Sequence, residues 1–197
     1  MSTKAELNQA FWNEKWESRS TGWDIGYPSP AIAGFMENFF PRDAAILIPG
    51  CGNAHEAAFL LNHGFTNITL LDIAPKAVEI LQHRFSGNPH IRILCGDYFQ
   101  HKGRYDLQIE QTFFCAIDPE KRADYVKKAA ELLTGKGRII GLLFDTQFEK
   151  EGPPFGGDSL EYTRLFEPYF KIHKMEPCYN SIPPRTNTEV FIHLIKT

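Results

Sequence analysis

From residue 44 onward, short continuous apolar runs alternate with longer stretches in which apolar residues recur every three or four positions. AAILIPG (44–50) reads as a buried strand, NAHEAAFLLNHG (53–64) as an amphipathic helix closed by Gly64, and NITLLD (67–72) as a second strand. APKAVEILQHRF (74–85), with Pro75 in its first turn, reads as a helix, and IRILCGD (91–97) and YDLQIE (105–110) read as strands. Asp118-Pro119 opens a further helix that ends at Thr134-Gly135, and GRIIGLLF (137–144) is the fifth strand. Fully apolar strands alternating with amphipathic helices predict an α/β fold, a parallel sheet covered on both faces.

The two ends depart from this rhythm. Leu7, Phe11, Trp12 and Trp16 predict an amphipathic helix over 4–19; TGWDIGYPSP, with Gly22, Gly26, Pro28 and Pro30, then makes an aromatic-bearing loop before a helix at 30–40. Beyond residue 145, EGPPFGGD (151–158) is a loop, and Asp158 with Glu161 predicts a capping box for a short helix at 159–166. The strand-like runs 170–177 and 188–196 lie too close together for a helical crossover, so they are expected to be antiparallel. The sum is one Rossmann-like domain over 1–197, an open, mostly parallel sheet of seven strands.

Composition narrows the function. A chain of 197 residues suits one domain that buries roughly 70% of its unfolded surface. The aromatic share of 13%, including sixteen Phe, is high enough that aromatics are expected to line something. A net charge of −3 without any Lys/Arg run argues against nucleic acid and anionic membrane as partners. The four cysteines, Cys51, Cys95, Cys115 and Cys178, have no CxxC spacing and read as buried free thiols of a reducing compartment. With no apolar signal-like run at the N-terminus and nowhere eighteen consecutive apolar residues, a cytoplasmic protein is expected. No segment resembles an exposed apolar interface, so a monomer is expected. His55, His173 and His193 are not at metal-ligand spacing; no metal is expected, and His173 and His193 read as surface or satisfied strand histidines.

The chemistry concentrates at strand ends. Ligands of open α/β sheets sit beyond the carboxyl ends of the strands. There stand Gly50 and Gly52 after the first strand, Asp72 after the second, and Asp97 with Tyr98 after the third. Asp72 follows Gly50 by 22 positions, near the roughly twenty of an acid that binds ribose hydroxyls. The third glycine of a dinucleotide fingerprint is replaced by His55, which argues against a pyrophosphate, and there is no P-loop lysine. A nucleoside without phosphates fits, and S-adenosylmethionine is one: Asp72 for its ribose, Asp97 for its adenine amino group, the glycine turn for its methionine end, and Trp12, Trp16 or Trp23 for its sulfonium. Each feature also has a plainer reading: a tight turn for the glycines, a helix cap for Asp72, a turn residue for Asp97 and core packing for the tryptophans.

FWNEKW with TGWDIGYPSP, LIPGCGNAHE, LLDIAPKAVE, CGDYF, YDLQIEQTFFCAIDPEKR, the EGPPF loop and SIPPRTNTE together resemble the thiopurine methyltransferase family, most closely its halide and thiol methyltransferase branch. GCG and LD are generic to methyltransferases, whereas the aromatic N-terminus, TFFCAIDP and GPPF are specific, and the resemblance spans nearly the whole chain. It implies a class I methyltransferase domain whose N-terminal segment (1–40) is a lid and whose 146–168 region is a substrate-side insertion. It implies S-adenosylmethionine as cofactor, held by Trp12, Trp16, Trp23, Gly50, Asp72, Asp97, Tyr98 and Gln111, to which the reading of the glycine turn adds Gly52, and a small-molecule methyl acceptor with a soft nucleophile. Halide-methylating relatives tend to carry Asp-Tyr where Glu110-Gln111 stands, and Tyr where Phe155 stands. Losing a hydroxyl that could hold an anion favours a thiol or hydrosulfide over a halide.

Transfer from an activated sulfonium needs alignment and water exclusion more than a strong base. Tyr27, Phe113, Phe114 and Phe155 are the expected acceptor pocket, with Arg185 either drawing in an anionic acceptor or merely solvated in its loop. Cys51, between the glycines, is expected only to pack. The competing readings are a halide or thiocyanate methyltransferase and a non-catalytic S-adenosylmethionine-binding protein.

Overall fold

The computed structural model describes residues 6–197, so the first two residues of the helix expected over 4–19 lie outside the described residues. The elements are α1 (Gln9–Glu17), α2 (Pro30–Glu37), β1 (Ile46–Pro49), α3 (His55–Asn62), β2 (Ile68–Asp72), α4 (Pro75–Arg84), β3 (Ile91–Cys95), β4 (Tyr105–Gln111), α5 (Arg122–Leu132), β5 (Leu133–Phe144), α6 (Ser159–Phe166), β6 (Phe170–Pro177) and β7 (Glu189–Lys196). The seven strands form one sheet in the order β3-β2-β1-β4-β5-β7-β6. β1 to β5 are parallel, and β7 runs antiparallel between β5 and β6.

All four residues of β1 are buried, because successive side chains of the central strand feed opposite faces. Ile46 and Ile48 join Leu60, Phe65, Ile68 and Leu70 on the side covered by α2 and α3. Leu47 joins Phe114, Tyr125, Tyr162 and Phe166 on the side covered by α5 and α6. The edge strands differ: β3 is only partly buried, and β6 exposes Lys171, His173, Lys174 and Glu176, charged positions that discourage edge-to-edge pairing.

The structure adjusts several expectations. The helix expected from Asp118 to Gly135 is a single turn at 119–121 followed by α5, and β5 starts at Leu133 rather than 137, because Leu133 pairs with Tyr105 before the register shifts. Only half of the capping box forms: Asp158 accepts from Leu160 and Glu161 N–H, but the Glu161 carboxylate is drawn off by Arg122 at 3.0 Å. Of the cysteines, Cys115 and Cys178 are buried as expected, whereas Cys95 is exposed on edge strand β3. His173 is exposed, but His193 is buried beneath Phe35 and His173, and its Nε2 has no hydrogen-bond partner, so it is neither a surface nor a satisfied histidine. Among the described residues, no helix is long and apolar enough to cross a membrane.

Candidate active site

The glycine turn owes its path to backbone freedom. Gly50 has φ of +55° and Gly52 +52°, values that glycine adopts without strain, and Ala54 repeats the left-handed conformation at +51° to start α3. A Cβ on Gly50 would run into Phe113, whose Cγ lies 3.0 Å from that position; one on Gly52 would find only the Trp16 and Trp23 rings, at 3.5 and 3.8 Å. The two glycines therefore do different work: the first admits a ring, and the second lies a methyl's width below the indoles.

Asp72 fastens this turn. One carboxylate oxygen accepts the Gly52 N–H at 3.1 Å and the other the Ala74 N–H at 2.9 Å, joining the turn to the start of α4. Burial pushes the Asp72 carboxyl above the usual carboxylate range, against the pull of these N–H donors. The Ile73 N–H also draws on this carboxylate, so Asp72 is a backbone clamp that keeps one of its four acceptor sites for a ligand hydroxyl.

The N-terminal aromatics close one side. Trp16 is buried on Ala74 and Ala77, and Trp23 makes edge-on contacts with Trp12 at 5.6 Å and Trp16 at 5.9 Å. Asn13 of α1 accepts the Lys76 N–H at 2.8 Å, supplying the side-chain cap that α4 lacks at its own N-cap, Ala74. Asp24 turns the following loop through the Gly26 N–H and is bound by His55 Nε2 at 2.8 Å and by Asn53. The tryptophans are thus both packed core, as their plainer reading had it, and cavity wall.

These pieces surround a cavity of about 1250 Å³ at the carboxyl ends of β1 to β4, larger than the roughly 300–1,000 Å³ of common small-ligand sites. It brings together Trp12, Trp16, Trp23, Gly50, Gly52, Asp72, Asp97, Tyr98, Phe113 and Arg185 of the residues singled out from sequence. Asp97 caps the turn after β3 by accepting the Phe99 N–H at 2.9 Å, and the Tyr98 hydroxyl points away into the core, onto Gln108 at 3.0 Å.

Four expected residues lie elsewhere. Gln111 and Tyr27 line an adjoining cavity of about 40 Å³ behind the glycine turn, where the Gln111 Oε1 is buried without a partner and Tyr27 is 46% exposed. Phe114 is a core residue, edge-on to Tyr125 and Tyr162 and covered by the Arg122 guanidinium at 5.0 Å. Phe155 is half-buried outside the cavity, its N–H held by the Cys115 carbonyl, while Gly152, Pro153 and Pro154 of the same loop form the wall. Period-based reading assigns a loop to the site, but it cannot tell which of two neighbouring side chains faces inward once the backbone is irregular.

Sequence reasoning also missed wall residues: Phe144 at the end of β5, Phe148 beyond it, Cys115, Lys121 and Thr188. Phe144 carried a signal, since it ends a strand on the ligand side of the sheet. Arg185 is not a solvated loop residue. It pairs with buried Glu189 at 3.4 Å, donates to the Trp23 carbonyl at 3.2 Å and lies over the Phe144 ring at 5.5 Å. Burial, with the Glu110 charge next, pushes the Cys115 thiol up to about 12, so it stays protonated and does not compete as a nucleophile.

Residues 7–194 match the thiopurine S-methyltransferase family. A protein of Arabidopsis thaliana named "Probable thiol methyltransferase 2" is 30% identical over 83% of this chain and 74% of its own length. The chain belongs to the thiopurine S-methyltransferase family. It is an S-adenosylmethionine-dependent methyltransferase. Thiocyanate methyltransferase 1 of Arabidopsis thaliana is 28% identical over 93% of the enzyme and 83% of its own length. Among solved structures, the Burkholderia thailandensis 1,6-didemethyltoxoflavin-N1-methyltransferase, with its substrate and S-adenosylhomocysteine bound, superposes with a TM-score of 0.77 at 16% identity, over 100% of the enzyme and 93% of that chain. At that identity the likeness concerns the fold, a class I methyltransferase domain.

The residues fit the cofactor. The cavity volume beside the glycine turn, the remaining acceptor capacity of buried Asp72 and the three indoles suit the three chemically distinct parts of S-adenosylmethionine.

Proposed function

We propose that the enzyme methylates a small thiol, with the tryptophan-lined end of the cavity taking the cofactor and the end around Phe113, Phe144, Phe148, Pro153 and Pro154 taking the acceptor. In this reading residues 1–40 act as a lid and 146–168 as an acceptor-side insertion. Asp72 and Asp97 hold the nucleoside, Gly50 and Gly52 make room for the methionine end, and Trp12, Trp16 and Trp23 flank the sulfonium.

The bound cofactor supplies a methyl group already activated on a cationic sulfur. The chain has to align a nucleophile with it and keep water out. Phe113, Phe144 and the proline loop exclude water, and the cation–π attraction of the indoles suits a positive sulfur. A thiol enters neutral and, with a pKa of about 8.5, gives up its proton without a strong base in the wall.

The observation that carries the thiol over a small anion is the Arg185–Glu189 pair. A free guanidinium would draw in thiocyanate or halide, but here Glu189 already balances the charge and the Trp23 carbonyl takes a further N–H. Four unpaired cysteines agree with a reducing, cytoplasmic setting.

The test is methyl transfer from labelled S-adenosylmethionine to hydrosulfide, alkyl thiols, aromatic thiols, thiocyanate and iodide. Thiols are expected to give the highest kcat/KM. Preference for thiocyanate or iodide would overturn the acceptor class, and tight S-adenosylhomocysteine binding without turnover across the panel would favour a non-catalytic binding protein.

A further inference from the structure

Glu110 is wholly buried at the carboxyl end of β4, and no role above uses it. Its Oε1 accepts the backbone N–H of Phe113 at 2.9 Å and of Phe114 at 2.8 Å, and its Oε2 accepts the Tyr125 hydroxyl at 2.6 Å. Behind Tyr125 the bonds continue in one direction: the Tyr98 hydroxyl donates to Gln108 Oε1 at 3.0 Å, and Gln108 Nε2 donates to the Tyr125 oxygen at 2.8 Å. Every bond runs toward the carboxylate. A proton on Oε2 would take the place of the Tyr125 donor and leave that hydroxyl without its acceptor.

Such a carboxylate, deep and without a cation at bonding distance among the described residues, is a costly way to hold a turn. Burial pushes Glu110 up to about 7, with Tyr125 and the Phe114 and Phe113 N–H groups pulling down. The groups facing it are Tyr98 from the turn after β3, Gln108 on β4, Tyr125 on α5 and Cys115 beyond the turn; Arg122 and Arg185 act on Cys115 from farther out.

What the carboxylate holds is a branch point. Thr112 sits at φ +59°, and the two residues after it separate: Phe113 goes into the cavity against Gly50, and Phe114 goes into the core between Tyr125 and Tyr162. Both N–H groups at the branch are taken by one oxygen of Glu110. We infer that Glu110 is the positioning residue of the acceptor wall, its carboxylate fixing the turn that presents Phe113 to the cavity. This rests on reading the cavity as the methyl-transfer site. Glu110 itself touches neither acceptor nor cofactor; it acts through Phe113, so its loss should lower kcat more than S-adenosylhomocysteine affinity. Activity should also fall as the carboxylate gains a proton, independently of the acceptor's own titration.

The test has two readouts. The first, made without cofactor, follows the amide resonances of Phe113 and Phe114 from pH 5 to 9; both are expected to move with one shared midpoint. The second measures kcat, KM and S-adenosylhomocysteine affinity against pH, using a thiol acidic enough to be ionised throughout, for the wild type, Glu110→Gln and Tyr125→Phe. In Glu110→Gln the pH-dependent rise should vanish and kcat should fall on the order of 10- to 100-fold, the loss expected for a misplacement of about 1 Å. In Tyr125→Phe, which removes one donor to the anion, the midpoint should move to higher pH. Amide shifts that stay flat, or a folded Glu110→Gln with wild-type kcat and profile, would overturn the inference. A wild type that binds no S-adenosylhomocysteine would instead refute the reading of the cavity, while the amide titration would still report on the turn.

Discussion

Replacing Gly50 by Ala tests the geometry of the glycine turn against a built-in control. At φ +55° an Ala pays roughly 1–2 kcal/mol for the left-handed conformation. Its methyl would also overlap Phe113, with Cγ at 3.0 Å, Cβ at 3.2 Å and a ring carbon closer still, an overpacking that costs roughly 1–3 kcal/mol. The stiffer unfolded chain returns only about 0.4–1 kcal/mol, so the net loss is about 2–4 kcal/mol. Gly52→Ala shares the backbone cost at φ +52° but meets only ordinary contacts at 3.5 Å and beyond, so it should cost about 1 kcal/mol. In the proposed site its methyl fills the gap between the turn and the indoles at the cavity wall, and S-adenosylhomocysteine affinity should drop on the order of tenfold, about 1.4 kcal/mol. Urea unfolding followed by circular dichroism, with unchanged m, gives the stabilities, and titration of the ligand gives the affinities. A Gly50→Ala protein within about 0.5 kcal/mol of wild type, or a Gly52→Ala that costs more than Gly50→Ala, would refute the packing argument.

Three further outcomes follow from particular contacts. Asp72→Asn puts an amide N–H₂ where the Gly52 or Ala74 N–H now donates; unfolding should show a loss of about 1–3 kcal/mol and calorimetry a weaker S-adenosylhomocysteine complex, and unaltered values for both would reject the clamp. Arg185→Ala leaves the buried Glu189 carboxylate, whose Oε2 already lacks a partner, without its cation; the cost should be about 3 kcal/mol, with Glu189→Gln recovering part of it in a double-mutant cycle, and additive effects would mean the pair is not coupled. Burial holds His193 down from 6.5 to about 4, so the stability it contributes is full above pH 6.5 and is lost as pH falls toward 4, by up to about 3 kcal/mol at about 1.4 kcal/mol per unit. His193→Leu should lack that component when unfolding is compared at pH 7 and 4.5, and an identical pH dependence in both proteins would exclude it.

The strands and helices were legible because their periods are written by burial: Ile46 and Ile48 must face one layer and Leu47 the other. The pairing of Glu189 with Phe144 that places β7 inside the sheet was not legible, since antiparallel neighbours can be ordered in either way without altering their pattern. In the site, glycines and acids at strand ends were readable because strand ends in a parallel sheet converge. Tyr27, Phe114 and Phe155 fall outside the large cavity because each lies in irregular backbone, where a single left-handed residue such as Thr112 reverses which neighbour faces inward; Gln111, the last residue of β4, lines the smaller cavity instead.

By itself the sequence determined an α/β sheet with a glycine turn at Gly50 and Gly52, an acid at Asp72 and aromatics near them, since these depend on residue type and spacing along regular elements. The tertiary structure alone decided that Asp72 is also a clamp, that Arg185 is neutralised by Glu189, and that Glu110 holds Phe113 and Phe114 apart. The reason is physical: which partner a buried carboxylate takes, 20 residues away for Asp72 and Gly52 or three and four away for Glu110 with Phe113 and Phe114, is set by how irregular loops and strand ends pack, and no local period records that choice.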